Sequence, residues 1–307
     1  MRWGWKRLLL LLLLLLVAFI GLRIGFFFLS LYVYDWSPYL LRRDDVLSLN
    51  TNTPTEFRIP RIVHQTFKAN VTPPINWQHA QQSCKSVLWD YQFRMWTDED
   101  ARAFIREHYP RHLANYDSYP HHIERVDALR YFILYHYGGV YLDMDVGCQQ
   151  RLDPLLQSFD VVLVKTQPMG LSNDVMMSAA RHPFFLQMMQ QLPRWNWRYG
   201  LKFLTVMAST GPLYLDAQVM SYLDTQRDLS VFKVLDGELY GNSPNSFFYH
   251  TTGSSWHSAE VSWIDYLYRK GVWSFIVGLL FTSVVVWIAL WCKKKIALRA
   301  RRRRLLP

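Results

Sequence analysis

The chain has 307 residues, half of them hydrophobic, with 13 Trp and a formal net charge of +10. That composition excludes intrinsic disorder, a collagen-like repeat and a disulfide-stapled miniprotein. The charge belongs to the ends: residues 1–34 carry four basic and no acidic residues, 272–307 carry eight and none, and 35–271 hold 22 Lys and Arg against 24 Asp and Glu, a net of −2. With the middle nearly neutral, nucleic acid is not an expected partner.

In chain order, residues 1–7 form a basic cytosolic N-terminus and Leu8 to Tyr34 a first membrane span, interrupted only by Arg23. As a helix it reaches about 40 Å, more than a hydrocarbon core of roughly 30 Å. Nine leucines, Leu8–Leu16, at roughly −0.5 kcal/mol each outweigh one off-centre Arg costing at most about 3 kcal/mol. The run is too long for a cleaved signal peptide, and no small-x-small cleavage site follows it. Residues 35–57 are polar and turn-rich and read as a stalk, and 58–271 as one α/β domain with a sizeable core. A second span, Val272–Cys292, carries no charge, and 293–307 form a basic tail. Positive flanks stay cytosolic, so both termini face the cytosol and 35–271 the lumen. The sequon Asn70-Val71-Thr72 then falls in a glycosylation-competent compartment. Cys84 and Cys148, luminal in this topology, are free either to pair or to stand alone.

Within the domain, Ile59–Phe67 and Tyr91–Trp96 read as strands, and Asp98 as the N-cap of a helix through Asp100–His108 that stops before Pro110. Ile123, Val126, Leu129, Ile133 and Tyr137 form a helical stripe, which Gly138-Gly139 ends. Val140–Val146 and Val161–Val164 read as strands. Such alternation predicts a mostly parallel sheet.

The chemistry lies in residues 124–146, ERVDALRYFILYHYGGVYLDMDV. In an extended segment Asp143 and Asp145 point to one face while Met144 points to the other. The two carboxylates thus meet at the C-terminal edge of a strand, where open α/β sheets bind ligands. Like charges there call for a hard divalent cation with oxygen ligands. With 18 Asp in the chain, about one D-x-D arises by chance, so the helix and double glycine before it carry the specificity. Asp127 and Arg130, three apart on that helix, face the same way.

Residues 124–146 resemble the signature of the DxD-containing glycosyltransferase family of fungal mannosyltransferases, and IPRIVHQTF at 59–67 resembles its opening strand, with Phe67 where Trp is usual. Further segments are similar to one branch, the catalytic subunits of mannosyl phosphorylinositol ceramide synthase: Cys148–Leu156, Gly170–Asp174, Arg181–Phe184, Thr210–Pro212 and Gly253–His257. The resemblance implies a GT-A-type, Rossmann-like fold between the two spans, and metal-dependent, retaining transfer of mannose from GDP-mannose to inositol phosphorylceramide. It also implies a divalent cation, Mn²⁺ rather than Mg²⁺, a Golgi location and a membrane-bound regulatory subunit. Carried onto this chain, Asp143 and Asp145 bind metal and donor, Asp127 and Arg130 the donor sugar, and Phe67 the nucleotide base. Asn173, Ser255 and Trp256 contact the donor, Asp174 the acceptor or donor sugar, and His257, with His250 as the competing candidate, completes the metal shell. A mannosyltransferase acting on protein-linked glycan and a non-catalytic membrane scaffold are the rival readings. A second span is superfluous in the first, and the intact carboxylates and Arg130 count against the second. The aromatic run Trp195–Tyr199 is left open between core and a lipid-facing lid.

Overall fold

The computed structural model describes residues 34–49, 56–166, 170–225, 230–241 and 243–251, with isolated Leu12, Phe19 and Val284. Among the described residues no helix is long and apolar enough to cross a membrane. The spans expected at 8–34 and 272–292 lie outside them, apart from those isolated positions and Tyr34.

The first described segment departs from its expected role as a stalk. Trp36 is buried in the domain core, Leu40–Leu41 form strand β1, and helix α1 covers Arg43–Leu47. Apolar side chains in an otherwise polar stretch, Trp36 and Leu41, give it something to bury, so the domain begins before Arg58. Next come β2 (Ile62–Thr66), α2 (Ile75–Val87) and β3 (Gln92–Trp96). Helix α3 (Asp98–His108) is capped one residue earlier than expected, by Thr97. The Thr97 hydroxyl accepts from the Asp100 N–H at 3.2 Å, and the Asp100 carboxylate accepts from the Thr97 N–H at 3.1 Å, a reciprocal capping box. Asp98 is thereby the first helical residue, pairing with His122 at 2.7 Å.

Helix α4 (Pro110–Ser118) leads to α5 (His122–Tyr137), which is not the one-sided amphipathic helix its stripe suggested. Glu124 and every residue from Asp127 to Leu134 are buried, because the sheet packs on one side and other helices on the rest. Gly138 and Gly139 then turn the chain at φ of 65° and 96°. A Cβ on Gly138 would stand 2.6 Å from the Ala180 nitrogen and one on Gly139 2.5 Å from the Ile62 carbonyl oxygen, so both backbone shape and space demand glycine. His64 fastens the turn. Its Nδ1 accepts from the Trp96 indole at 3.2 Å, which leaves Nε2–H to donate to the Gly138 carbonyl at 2.9 Å. Burial pushes this imidazole down to about 4, so it stays neutral in that tautomer.

The remaining elements are β4 (Gly139–Leu142), β5 (Val146–Cys148), α6 (Asp153–Ser158), β6 (Val161–Lys165), β7 (Leu171–Ser178), α7 (Pro183–Trp195), α8 (Lys202–Ser209), α9 (Pro212–Leu223), β8 (Phe232–Leu235), α10 (Gly237–Tyr240) and β9 (Phe248–His250). Seven strands make a sheet in the order β1-β8-β6-β7-β4-β2-β3. Every neighbouring pair is parallel except the two that involve β7. Strand alternation divides the core between the two faces: Tyr141, Leu163 and Met176 join one apolar cluster, and Leu142, Val162 and Met177 the other. The expected strand Val140–Val146 is broken. It leaves the large sheet after Leu142, turns, and re-pairs as β5 with β9 in a two-stranded antiparallel ribbon. Cys84 of α2 and Cys148 of β5 form a disulfide, resolving that open alternative and tying the ribbon to the helix beside it.

Asp216 on α9 accepts the N–H of Leu171, at the start of β7, at 2.9 Å. Burial pushes its carboxyl up to about 7. A carboxyl raised in the fold favours the native state most while protonated, so its contribution is fullest below about pH 4 and is lost as pH rises toward about 7. Asp216→Asn keeps an acceptor oxygen and removes that loss. In thermal unfolding of the detergent-solubilised chain, the variant gains on wild type between about pH 4 and 7, by on the order of 3 kcal/mol, and the gap is flat above. Parallel profiles across that range contradict the assignment.

Candidate active site

The site forms where β4 stops. The Asp143 N–H donates to the Asp174 carbonyl at 2.9 Å, and the Val146 N–H closes back on the Asp143 carbonyl at 3.1 Å. Residues 143–145 therefore lie in a tight turn, where the sequence suggested continuous strand. The outcome expected of alternation is kept by other means: Met144 is 4% exposed, in the core, while Asp143 and Asp145 are only partly covered. The Asp145 carbonyl is held from the far side by the N–H and hydroxyl of Thr251, at 2.9 and 3.1 Å.

Because β7 runs against its neighbours, its first residues lie at the C-terminal edge of β4, with Val175 opposite Leu142. This reversal delivers Asn173 and Asp174 to the turn. Helix α5 delivers Asp127 and Arg130, and the Asp127–Arg130 pair, at 3.2 Å, is 5% and 4% exposed. A surface ion pair at this spacing contributes little; this one is embedded. Arg130 Nη2 lies 2.9 Å from Asp143 Oδ1, its Nη1 donates to the Asn173 carbonyl at 2.8 Å, and its guanidinium carbon stands 4.7 Å from the centre of the Tyr141 ring. Asp127 also accepts from the Asn173 amide at 3.1 Å and the Thr210 hydroxyl at 3.3 Å. Asp143 accepts from the Tyr141 hydroxyl at 2.7 Å.

Burial pushes the Asp127 carboxyl up to about 6, with Arg130 and the Asn173 bond acting the other way. Asp143 is pushed up to about 7, first by burial and then by the neighbouring Asp174 and Asp145, against the pull of Arg130. Asp145 is raised as well, by burial and by Asp174. Three carboxylates around one turn, with Arg130 near only one edge, leave a surplus of negative charge that oxygen-seeking cations relieve.

The structure thus gathers Asp127, Arg130, Asp143, Asp145, Asn173 and Asp174 at one edge of the sheet. Phe67, one residue past β2, is half-buried at that same edge, its ring edge-on to Trp77 at 6.1 Å. His250 pairs with Val146 across the ribbon and stands 3.8 Å from Asp174. Ser255, Trp256 and His257 lie outside the described residues, and among the described residues no three His, Cys, Asp or Glu form a metal-holding group. Asn70 is exposed in a turn, at φ 56°.

Two tyrosines escaped the sequence reading. Tyr141 links the Thr66 hydroxyl, at 2.9 Å, to Asp143; its position two residues before Asp143, on the same strand face, was the available signal. Tyr240 donates to Asp174 Oδ2 at 2.5 Å, and its carbonyl lies 3.2 Å from His250 Nε2. No local pattern connects residues 66 positions apart. Among the described residues, the buried side-chain atoms without a hydrogen-bond partner are Asp174 Oδ1, Arg130 Nε and Gln65 Nε2. The first two belong to this site.

The family model for the glycosyltransferase sugar-binding region containing the DXD motif matches residues 74–162, which include the turn and α5. Inositol phosphoceramide mannosyltransferase 3 of Schizosaccharomyces pombe is 42% identical over 264 residues, 85% of this chain and 73% of that protein. Mannosyl phosphorylinositol ceramide synthase SUR1 of Saccharomyces cerevisiae is 38% identical over 84% of this chain and 70% of its own length. The chain belongs to the DXD-motif glycosyltransferase family. Among solved structures, the PaToxG glycosyltransferase is 15% identical, with a TM-score of 0.45, over 59% of this chain and 76% of that one.

Tyr240 holds Asp174 with one oxygen satisfied and the other free. Tyr240→Phe removes that hold without changing the ring. Transfer is expected to fall roughly tenfold, as for loss of one charge-assisted bond of about 1.5 kcal/mol, with the variant still folded and its stability lowered by no more than about that amount. Full activity in the variant contradicts a positioning role for Tyr240.

Proposed function

We propose that the chain transfers mannose from GDP-mannose to inositol phosphorylceramide, with retention at the sugar carbon, through a GT-A-type domain in the Golgi lumen. The observation that carries the reading is the buried Asp127–Arg130 pair joined to the partly covered Asp143 of a carboxylate turn, in a sequence about two-fifths identical to proteins named for that reaction. The two sequence-expected spans, both termini cytosolic, support a membrane-held acceptor, and the disulfide suits an oxidising lumen. An exposed Asn70 suits glycan attachment there. A membrane-bound regulatory subunit is part of the same proposal.

The donor set fits a divalent cation. Its carboxylates offer oxygen ligands, with Asp143 and Asp145 raised first by burial and then by neighbouring carboxylates, and with one Asp174 oxygen unpartnered. Asp143 and Asp145 would hold the ion, Mn²⁺ on this proposal, with His257 or His250 beside them. When bound, the ion supplies positive charge against the departing diphosphate. Arg130 adds a fixed positive charge in a site shielded from water, where it counts for more than at the surface. Asp127 is held by Arg130, Asn173 and Thr210 in one orientation, ready to accept hydrogen bonds from sugar hydroxyls. Phe67 offers a stacking face for a base, without an indole donor. Asp174 is placed to orient the attacking hydroxyl or the donor sugar. The leaving diphosphate is itself competent to take the acceptor proton.

The test is mannose transfer in microsomes from labelled GDP-mannose to inositol phosphorylceramide, comparing wild type with Asp143→Ala/Asp145→Ala at matched expression. The proposal predicts mannosylated lipid from wild type and a loss of at least a hundredfold in the variant, in line with removal of electrostatic stabilisation of roughly 3 kcal/mol or more. If wild type with a supplied regulatory subunit makes no mannosyl lipid, the sphingolipid assignment falls and a glycan acceptor takes its place.

A further inference from the structure

Between Asp174 and Asp216 the chain has no acidic residue, and its basic residues there include Arg194, Arg198 and Lys202. These three bracket the loop from α7 to α8, in a domain region whose net charge is −2. The same loop exposes three large apolar side chains: Trp197 is 67% exposed, Tyr199 41% and Leu201 46%. Their exposure is not slack. The Asn196 amide donates to Asn115 at 2.9 Å and to the Ser118 hydroxyl at 2.8 Å, the Tyr199 N–H donates to the Thr205 hydroxyl at 3.1 Å, and the Trp197 indole donates to the Arg194 carbonyl at 2.8 Å. Trp195, at the root of the loop, packs against the core. The aromatic run is therefore divided, with Trp195 facing inward and Trp197 and Tyr199 outward.

From this we infer that the loop 196–202 is a membrane-contacting element that seats in the headgroup region of a bilayer carrying anionic phosphodiester lipids. Aromatic rings with a polar edge favour that depth, and flanking cations meet lipid phosphates. Three residues such as Trp, Tyr and Leu are too few to anchor a protein and sufficient to orient one already tethered. Helix α8 connects the loop to Thr210, whose hydroxyl bonds Asp127, and its eight residues make about 12 Å. The loop is thus within one short helix of the donor-sugar residues, a distance suited to holding a headgroup acceptor near them. The inference rests on the lipid-acceptor reading for its function, though not for the contact itself.

The test uses the full chain in proteoliposomes containing phosphatidylinositol. An environment-sensitive fluorophore is placed on Trp197→Cys, in a Cys292→Ser background, with Trp89→Cys, another exposed tryptophan (74% exposed), as the control position. Lipid-borne quenchers are expected to quench position 197 at least threefold more than position 89. Arg198→Glu/Lys202→Glu is expected to weaken that quenching and to raise the KM for inositol phosphorylceramide at least fivefold, with the KM for GDP-mannose unchanged. Equal quenching at both positions overturns the proposal, as does a probe shielded only when a partner protein is added. If quenching is found and wild type transfers no mannose to this lipid, the contact stands and the acceptor assignment alone fails.

Discussion

Arg130 brings into the interior a positive charge that a guanidinium does not shed. Taking such a group out of water costs several kcal/mol unless well-placed partners offset it. Here the partners are Asp127 from the same helix, Asp143 from the end of β4, the Asn173 carbonyl from β7 and the face of Tyr141. Helix α5, the end of β4 and the start of β7 are therefore fixed to one another through one side chain. Truncating Arg130 leaves the buried Asp127 and the partly covered Asp143 without their counter-charge, and breaking a buried pair such as Asp127–Arg130 costs the fold about 3–5 kcal/mol.

The reversed strand β7 makes this convergence possible. In an all-parallel sheet its first residues would lie at the opposite edge from the end of β4. Running antiparallel, it sets the Asp174 carbonyl against the Asp143 N–H and stops β4 there. The chain then turns into the β5–β9 ribbon, which brings His250 toward Asp174 and is locked to α2 by the disulfide. Tyr240 completes the wall by bonding Asp174. The result is a carboxylate cluster with a negative surplus on its open side, complementary to a cation, which on the proposed function would in turn offset the charge of the donor diphosphate.

Much of this was legible in the residues. The double glycine ended α5 because its two positive-φ positions admit little else, and Asp127 and Arg130 shared a face because they are three apart. What misled was reading one helical stripe as the only buried face: α5 is enclosed, so Glu124, Asp127 and Arg130 are buried together with Leu129, Phe132 and Ile133. The break after Leu142 was hidden because Val140–Val146 has strand composition throughout, and the hydrogen bond that ends it comes from residue 174. The polar stretch after Tyr34 concealed Trp36 and Leu41, whose burial depends on a strand, β8, nearly 200 residues away. Local pattern carries local geometry, and tertiary partners decide the remainder.

The central claim, that Asp127 and Asp143 act as one unit through Arg130, is tested most directly by a double-mutant cycle on binding of GDP-mannose to the solubilised full chain. Asp127→Asn, Asp143→Asn and the double variant are compared with wild type by calorimetry at one Mn²⁺ concentration. Coupling through a shared buried charge predicts that the two losses fail to add by about 1 kcal/mol or more. Additivity within about 0.5 kcal/mol would show two independent carboxylates and contradict the account.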